Sequence, residues 1–440
     1  MRLTLPRQGM PILPALSENR IARFATIMVL YFLQGVPLGL STVAIPAWLA
    51  SSGASPLQVG AFVGTAILPW SLKPLNGILM DRFAFKPMGR RRAWTLAAQA
   101  LMLAALVTMG LLNPGVTEIT LLAALCFMLN LCATLNDVAI DGLAVDIVPD
   151  EERTVTNSLM FASQVFGISV TSFIAGQVLN ANGLVAMAIV LSAMVAAASA
   201  FVSVFRERPG ERLLPWSSGE ASKECQQRQH DAWLPIFNGM FRALIKPGTL
   251  LFLLGAAVAQ VSLAFIDAVA PTLSVQHLGW SSDGYSNFAA LATLVSAGTA
   301  LVLPTILVRV VGIRWTLVSL SAVLASLASI GGLTFDGWIG SNVFSTLYVL
   351  QLSIGVIQTI VIIVWAMRIC DPAVAASLFA LFMAVPNFGR AVWAGWSGVV
   401  IEAGGYSAVY FTVAGLTIVS LALFLLARVG EESQLPAVAQ

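Results

Sequence analysis

Charge is scarce in this sequence. Lysine, arginine, aspartate and glutamate make up 10% of its 440 residues and 58% are hydrophobic, whereas a soluble globular chain carries about 25% charge. Histidine occurs only at 230 and 277, outside the apolar runs, which excludes a buried imidazole relay. Four cysteines, at 126, 132, 225 and 370, show no paired spacing. Three of them sit in or at the ends of apolar segments, so neither a disulfide framework nor a zinc site is expected. There is no Ser/His/Asp set, no metal-ligand spacing and no P-loop, so an enzyme, a metal site, a cofactor and nucleotide-driven transport are not expected. No secretory signal is evident either, because Pro6, Pro11 and Pro14 precede an apolar run too long for one. A formal charge of +2 says little in a chain where the placement of charge matters more than its sum, and nothing points to nucleic acid.

What is present is a series of apolar runs, each of the roughly 20 residues that cross a bilayer as helix. Helices are predicted at 22–50, 56–80, 93–113, 118–148, 154–180 and 184–205. A second set follows at 247–276, 284–310, 315–334, 341–369, 374–402 and 405–428. The expected fold is an all-α membrane protein with twelve transmembrane helices in two pseudo-symmetric six-helix bundles, 22–205 and 247–428. Tails at 1–21 and 429–440 flank them. Between them lies a polar linker, 206–246, whose Trp233, Ile236, Phe237, Met240, Phe241 and Leu244 have the spacing of an amphipathic surface helix. The turns "SSGASP", "NPGVTE", "NANG", "QHLGWSSDG", "FDGWIGSN" and "EAGG" lack lysine and arginine, whereas every other connection carries them. That alternation predicts cytoplasmic termini and a cytoplasmic linker. The halves also echo each other: Pro46 with Pro271, Gln34 with Gln260, and Phe166-Gly167 with Phe388-Gly389. A repeat of six helices with a site between the halves is a transporter plan.

Ionisable groups inside a span cost several kcal/mol unless paired or hydrated, so each is a candidate. Lys73 and Asp141 each lie eight residues before a cytoplasmic boundary, at Asp81 and Pro149. Both are thus roughly 12 Å deep, which makes a Lys73–Asp141 pair the expectation if the second and fourth helices are neighbours. Asp137, one turn further in on the same face, is the expected protonatable site. Lys73 would move between Asp141 and Asp137 as protonation changes; the alternative is a static pair. Asp146 lies near the cytoplasmic end. Arg390, near mid-depth in the eleventh helix, is read either as a dock for an anionic group of a solute or as a partner of Asp267. Trp393 and Trp396 are placed to stack on a ring or to sit at the interface. Gln34, Gln260, Asn130, Asn136 and Gln358 are candidates for hydrogen bonds to a solute, or for interhelical bonds.

The stretch "GILMDRFAFKPMGRRR" resembles, in a stretched form, the loop signature of the major facilitator superfamily. With "YFLQGVPLGL", "LPWSLKPLNGILMDR" and "NDVAIDGLAVDIVPDEER", it is similar to the branch of AmpG-type muropeptide permeases, acetyl-coenzyme A transporters and rhizobactin- or pyochelin-type siderophore permeases. The likeness is strong over residues 28–170 and weak beyond. The branch's second-helix lysine falls on Lys73. Its Gln-Asp-x-x-x-Asp falls on Asn136, Asp137 and Asp141, with Asn in place of Gln. Its seventh-helix Lys-Leu-Gly-Asp-Ala is replaced by "AQVSLAFIDAV", which carries Asp267 about one turn away and no lysine. The resemblance implies that Asp81, Arg82, Arg90 and Arg91 latch the halves in the outward-facing state, although positive-inside anchoring explains the arginines equally well. It also implies a monomeric secondary carrier in a bacterial inner membrane. The carrier would take up a bulky polar solute, a muropeptide or sugar-peptide or a siderophore-like chelate, with protons as the coupling ion that the sequence's own carboxylates suggest. Export or exchange of an anion such as acetyl-coenzyme A is the alternative within transport, and a membrane signal transducer the alternative outside it.

Overall fold

A peptide group in hydrocarbon has no water to bond, so a spanning segment must close its hydrogen bonds as helix or closed barrel. The computed structural model describes residues 15–227, 246–338, 342–369 and 375–427, and among them the regular structure is helical throughout. Nine helices in the described residues are long and apolar enough to cross a membrane. Two of these are double: Arg153–Ser203 turns back at Gly183 (φ 79°) and Ala375–Leu426 at Gly405 (φ 73°), a backbone conformation that glycine adopts without steric cost. The second span is broken and completes the plan of twelve crossings.

The first span is Arg20–Ser51, the third Arg92–Leu112 and the fourth Ile119–Ile147. Arg153–Ser203 forms the fifth and sixth. In the second half the seventh span is Pro247–His277, the eighth Ser282–Val311, the ninth Ile313–Gly337 and the tenth Asn342–Ile369. Ala375–Leu426 forms the eleventh and twelfth. The ends rich in lysine and arginine are called basic here, and the opposite ends neutral.

The second span departs most from the uniform helix predicted at 56–80. It runs as Pro56–Ile67, a 3-10 turn at Leu68–Leu72 and a new helix at Lys73–Arg82. Pro69 and Pro74 explain the break, since each removes a backbone donor and crowds the carbonyl four residues earlier. The carbonyl that Pro74 cannot serve, that of Trp70, accepts instead from Asn387 Nδ2 of the eleventh span (3.4 Å).

The repeat read in the sequence has a physical basis. A Cβ at Gly167 would stand 2.1 Å from the Phe32 carbonyl oxygen, and one at Gly389 would stand 2.3 Å from that of Ala257. The fifth span therefore meets the first as the eleventh meets the seventh, backbone on backbone. Gly183 lies as far beyond Gly167 as Gly405 lies beyond Gly389. Near Pro46 and Pro271, the first and seventh spans each loosen into a π-helical turn, at Leu40–Ala44 and Leu273–His277.

At the neutral end the two halves are joined. Gln276 Nε2 donates to the carbonyls of Ala50 (2.9 Å) and Ala54 (2.8 Å), Gln177 bonds Asn287 and Ser282 bonds Asn180. Glycine lets the helices approach: a Cβ at Gly64 would lie 2.7 Å from the Ala391 carbonyl oxygen, and one at Gly176 would lie 2.4 Å from Ser286 Cβ.

Within the polar stretch 206–246, the predicted amphipathic helix at Trp233–Leu244 lies outside the described residues, as do residues 1–14 and the 429–440 tail. Residues 206–227 are more than a spacer, because they fold back on the basic end of the first half. Arg212 N–H donates to the Pro87 carbonyl (2.8 Å), and Arg92 donates to the carbonyls of Ser203 (2.6 Å) and Leu213. Glu207, fully buried, accepts the backbone N–H groups of Arg91 (3.2 Å) and Arg92 (3.3 Å) at the start of the third span. Its Oε2 lies where a Cβ on Gly89 (φ 92°) would be, 2.3 Å away. Burial first, and then the neighbouring Glu211, push the Glu207 carboxyl up to about 7.

Candidate functional site

In the first half the second span is stitched to the fourth by three side chains on one face. Trp70 Nε1 donates to Asn130 Oδ1 (2.9 Å), Asn76 Nδ2 donates to Thr134 Oγ1 (2.9 Å), and Lys73 Nζ pairs with Asp137 Oδ2 (2.5 Å). The ammonium also sits over the Trp70 ring, 4.8 Å from its centre, which adds a cation–π attraction. Asn130 in turn donates to Ser41 Oγ in the π-helical turn of the first span (2.9 Å). The centre is nearly closed, with the Lys73 side chain 20% exposed and that of Asp137 4%.

Lys73 thus meets Asp137, where the depth count pointed to Asp141. The count assumed that the second and fourth helices end level at the basic side. The Asn76–Thr134 and Trp70–Asn130 contacts set a different register, in which the fourth helix projects further toward the basic end. Asp141 lies about one turn beyond the ammonium's partner. Its Oδ1 accepts a hydrogen bond from the Tyr31 hydroxyl of the first span. Tyr31 went unread in the sequence, although it lies one turn before Gln34 on the same helical face.

The uncharged polar candidates prove to be dispersed, and all but Asn136 are committed to hydrogen bonds within the protein. Gln34 Oε1 accepts from Gln164 Nε2 (2.7 Å), Gln260 Nε2 donates to Thr359 Oγ1 (3.2 Å), and Gln358 Nε2 donates to Ser321 Oγ (2.8 Å). Asn136 is fully buried, and neither of its amide atoms has a hydrogen-bond partner among the described residues. In the second half Arg390 grips Asp267 with two parallel bonds, Nε to Oδ2 (2.5 Å) and Nη2 to Oδ1 (2.8 Å), the bidentate geometry to which a guanidinium is suited. Trp393 is tied by Nε1 to the Ala257 carbonyl (3.3 Å). Of the residues read in the sequence as solute contacts, Arg390 and Trp393 are partly exposed, while Gln34, Gln260, Asn136, Gln358 and Asp267 are buried.

At the basic end, Arg91 reaches toward Asp146 (3.9 Å). It lies across Gly142, where a Cβ would be 2.5 Å from Arg91 Nε. The Arg82 guanidinium lies 5.8 Å from the centre of the Phe83 ring, and Arg90 is partly buried. The Asp81 and Arg153 side chains lie outside the described residues.

Comparison with known proteins agrees with this architecture. The model of the major facilitator superfamily matches residues 27–394. The anhydromuropeptide permease of Escherichia coli K12 is 26% identical over 429 residues, covering 92% of this chain and 80% of that protein. A putative transporter, AmpG 4 of Rickettsia felis, is 29% identical over 157 residues, 35% of this chain and 36% of its own. Among solved structures, the nucleoside transporter NupG superposes with a TM-score of 0.68 at 14% identity, covering 92% of this chain and 98% of that one. With its helices, its repeat and its matched length, the chain belongs to the major facilitator superfamily.

Proposed function

We propose that the chain is a proton-coupled carrier of a bacterial cytoplasmic membrane that takes up a bulky polar solute of the muropeptide or sugar-peptide class by alternating access. The positive-inside rule assigns the basic ends, and with them both termini and the linker, to the cytoplasm. The joined neutral end then faces outward, and the conformation described here is sealed against the exterior. The similarity to an anhydromuropeptide permease over most of both chains supports the solute class.

The observation that carries the coupling is the pair of carboxylates one turn apart, Asp137 and Asp141, of which only Asp137 is paired with the single ammonium of Lys73. Two negative charges and one positive leave the group one proton short of neutrality, and a low-dielectric site favours neutrality. Proton uptake from one side and release to the other, linked to the tilt of the first half, is the coupling step. Arg390 with Asp267 is the principal structural pair of the second half, and Trp393 lies beside it to flank the solute. Asp81, Arg82, Arg90 and Arg91 act at the cytoplasmic surface as the loop that latches the outward-open state.

The test uses purified protein in liposomes with an anhydromuropeptide as probe. Solute-dependent proton movement is expected for the wild-type chain and its loss for the Asp137→Asn/Asp141→Asn double variant. Muropeptide accumulation without proton movement would refute coupling, and proton movement driven only by another solute class would refute the cargo.

A further inference from the structure

We propose that Tyr31 is a positioning residue of the coupling centre, whose hydroxyl holds Asp141 as the carboxyl group that carries the proton while Asp137 remains the standing counterion of Lys73. This rests on the coupling reading above and divides its labour between two carboxylates that the sequence treats alike.

Charge placement comes first. Lys73 lies 2.5 Å from Asp137, whereas the Asp141 oxygen described above receives a neutral phenol. Among the described residues, the other charged groups of the packed elements are engaged elsewhere. On the first span Arg23 bonds Glu152 (2.6 Å) and the carbonyls of Leu16 and Ser17. On the fourth, Asp146 faces Arg91. From the second half, Arg390 is held by Asp267. Asp141 is therefore the carboxyl group of the centre whose partner leaves its charge uncompensated.

The chemistry of the partner comes second. A phenol is donor and acceptor at once. It donates its O–H to an ionised Asp141, and its oxygen accepts the O–H of a protonated one. The same residue can hold the carboxyl group in place through both states, which neither an ammonium nor an apolar side chain does. The step is simple: one proton from water forms an O–H bond on Asp141, and Lys73, Asp137 and Asp141 together pass from a net charge of −1 to zero.

Packing comes third. The Tyr31 ring belongs to a buried apolar cluster with Leu30, Ile140, Leu143 and Ala144 of the first and fourth spans. That cluster fixes the hydroxyl relative to Asp141 and makes Tyr31→Phe a substitution that removes one oxygen and retains the packing.

The experiment is infrared difference spectroscopy of the full chain in lipid nanodiscs, titrated with pH in the absence of solute, on the wild type, Tyr31→Phe, Asp141→Asn and Asp137→Asn. The wild type is expected to show a titrating carboxylic-acid band, which Asp141→Asn loses and which Asp137→Asn moves to lower pH, because Lys73 and Asp141 alone are already neutral. In Tyr31→Phe, with unchanged thermal stability, the midpoint of the band is expected to move by about one pH unit. A band that disappears in Asp137→Asn and survives in Asp141→Asn overturns the proposal, as does a Tyr31→Phe midpoint equal to the wild type. A wild-type chain with no titrating carboxyl group overturns the coupling reading as well, so the two failures are distinguishable.

Discussion

Lys73 and Asp137 form an ion pair between the second and fourth spans, 2.5 Å from nitrogen to oxygen, at a site where neither charge has ready access to water. Such a pair contributes little net stability as a unit, but breaking it from one side strands the other charge.

For that reason Lys73→Met is expected to lower stability by about 3–5 kcal/mol. Lys73→Met/Asp137→Leu is expected to recover most of the loss while proton-coupled uptake stays absent. Thermal unfolding in detergent and liposome uptake measured on the same preparations check this. A double variant no more stable than the single one would show that the pair is not the origin of the loss.

Arg390 and Asp267 make a second test. Lysine retains the positive charge at 390 but cannot reproduce the two parallel bonds. Arg390→Lys is expected to cost about 1–3 kcal/mol, read as a lower melting temperature and membrane yield, with apparent solute affinity unchanged. A normal melting temperature with weakened solute binding would assign Arg390 to the solute instead.

Glycines at the neutral end give a prediction about conformation. A Cβ at Gly64 would meet the Ala391 carbonyl oxygen at 2.7 Å, across the joint between the halves. Gly64→Val is expected to hold the halves apart at that end and to reduce transport at least roughly tenfold. A cysteine placed at Ala54, buried at the closed joint, reports the opening through faster reaction with a membrane-impermeant maleimide. Gly167→Val works differently: its contact with Phe32 lies within one half, so this substitution is expected to lower folding yield without favouring either orientation.

Glu207 predicts a pH dependence in the docked segment 206–227. Its carboxyl titrates at about 7 when docked, above its ordinary 4.5, so between those values the docked form binds more protons than the free one. Docking is therefore strongest on the acid side, weakens as pH rises through about 4.5 to 7 and stays at its weaker level above. Trypsin cleavage after Arg208 and Arg212, expressed as the ratio of wild type to Glu207→Gln at each pH, is expected to rise by about two orders of magnitude over that window. A flat ratio would exclude Glu207 as the cause.

Much of the fold was open to reading because a bilayer imposes length and apolarity on each crossing. The fourth span, predicted at 118–148, is Ile119–Ile147, and the third, predicted at 93–113, is Arg92–Leu112. The break in the second span is hidden in the sequence because its apolar run is continuous while Pro69 and Pro74 divide its hydrogen bonds. The partner of Lys73 was not legible from depth alone. Depth counted from loop ends assumes a common register, and register is set by contacts such as Asn76–Thr134 between residues far apart in sequence. Glu207 escaped for a similar reason, since a polar stretch gives no sign that one of its carboxylates is buried under another loop.

The seat of residues 206–227 on the first half bears on where the chain can be divided. The third span takes its N-terminal cap from Glu207, and Arg92 bonds one carbonyl before the stretch, that of Ser203, and one within it, that of Leu213. A split protein severed just after Ser203 would leave its first fragment with an uncapped helix and a stranded arginine. Severed beyond Gln227, the same fragment keeps its own cover at the basic end, and that is the cut from which two co-expressed pieces should reassemble.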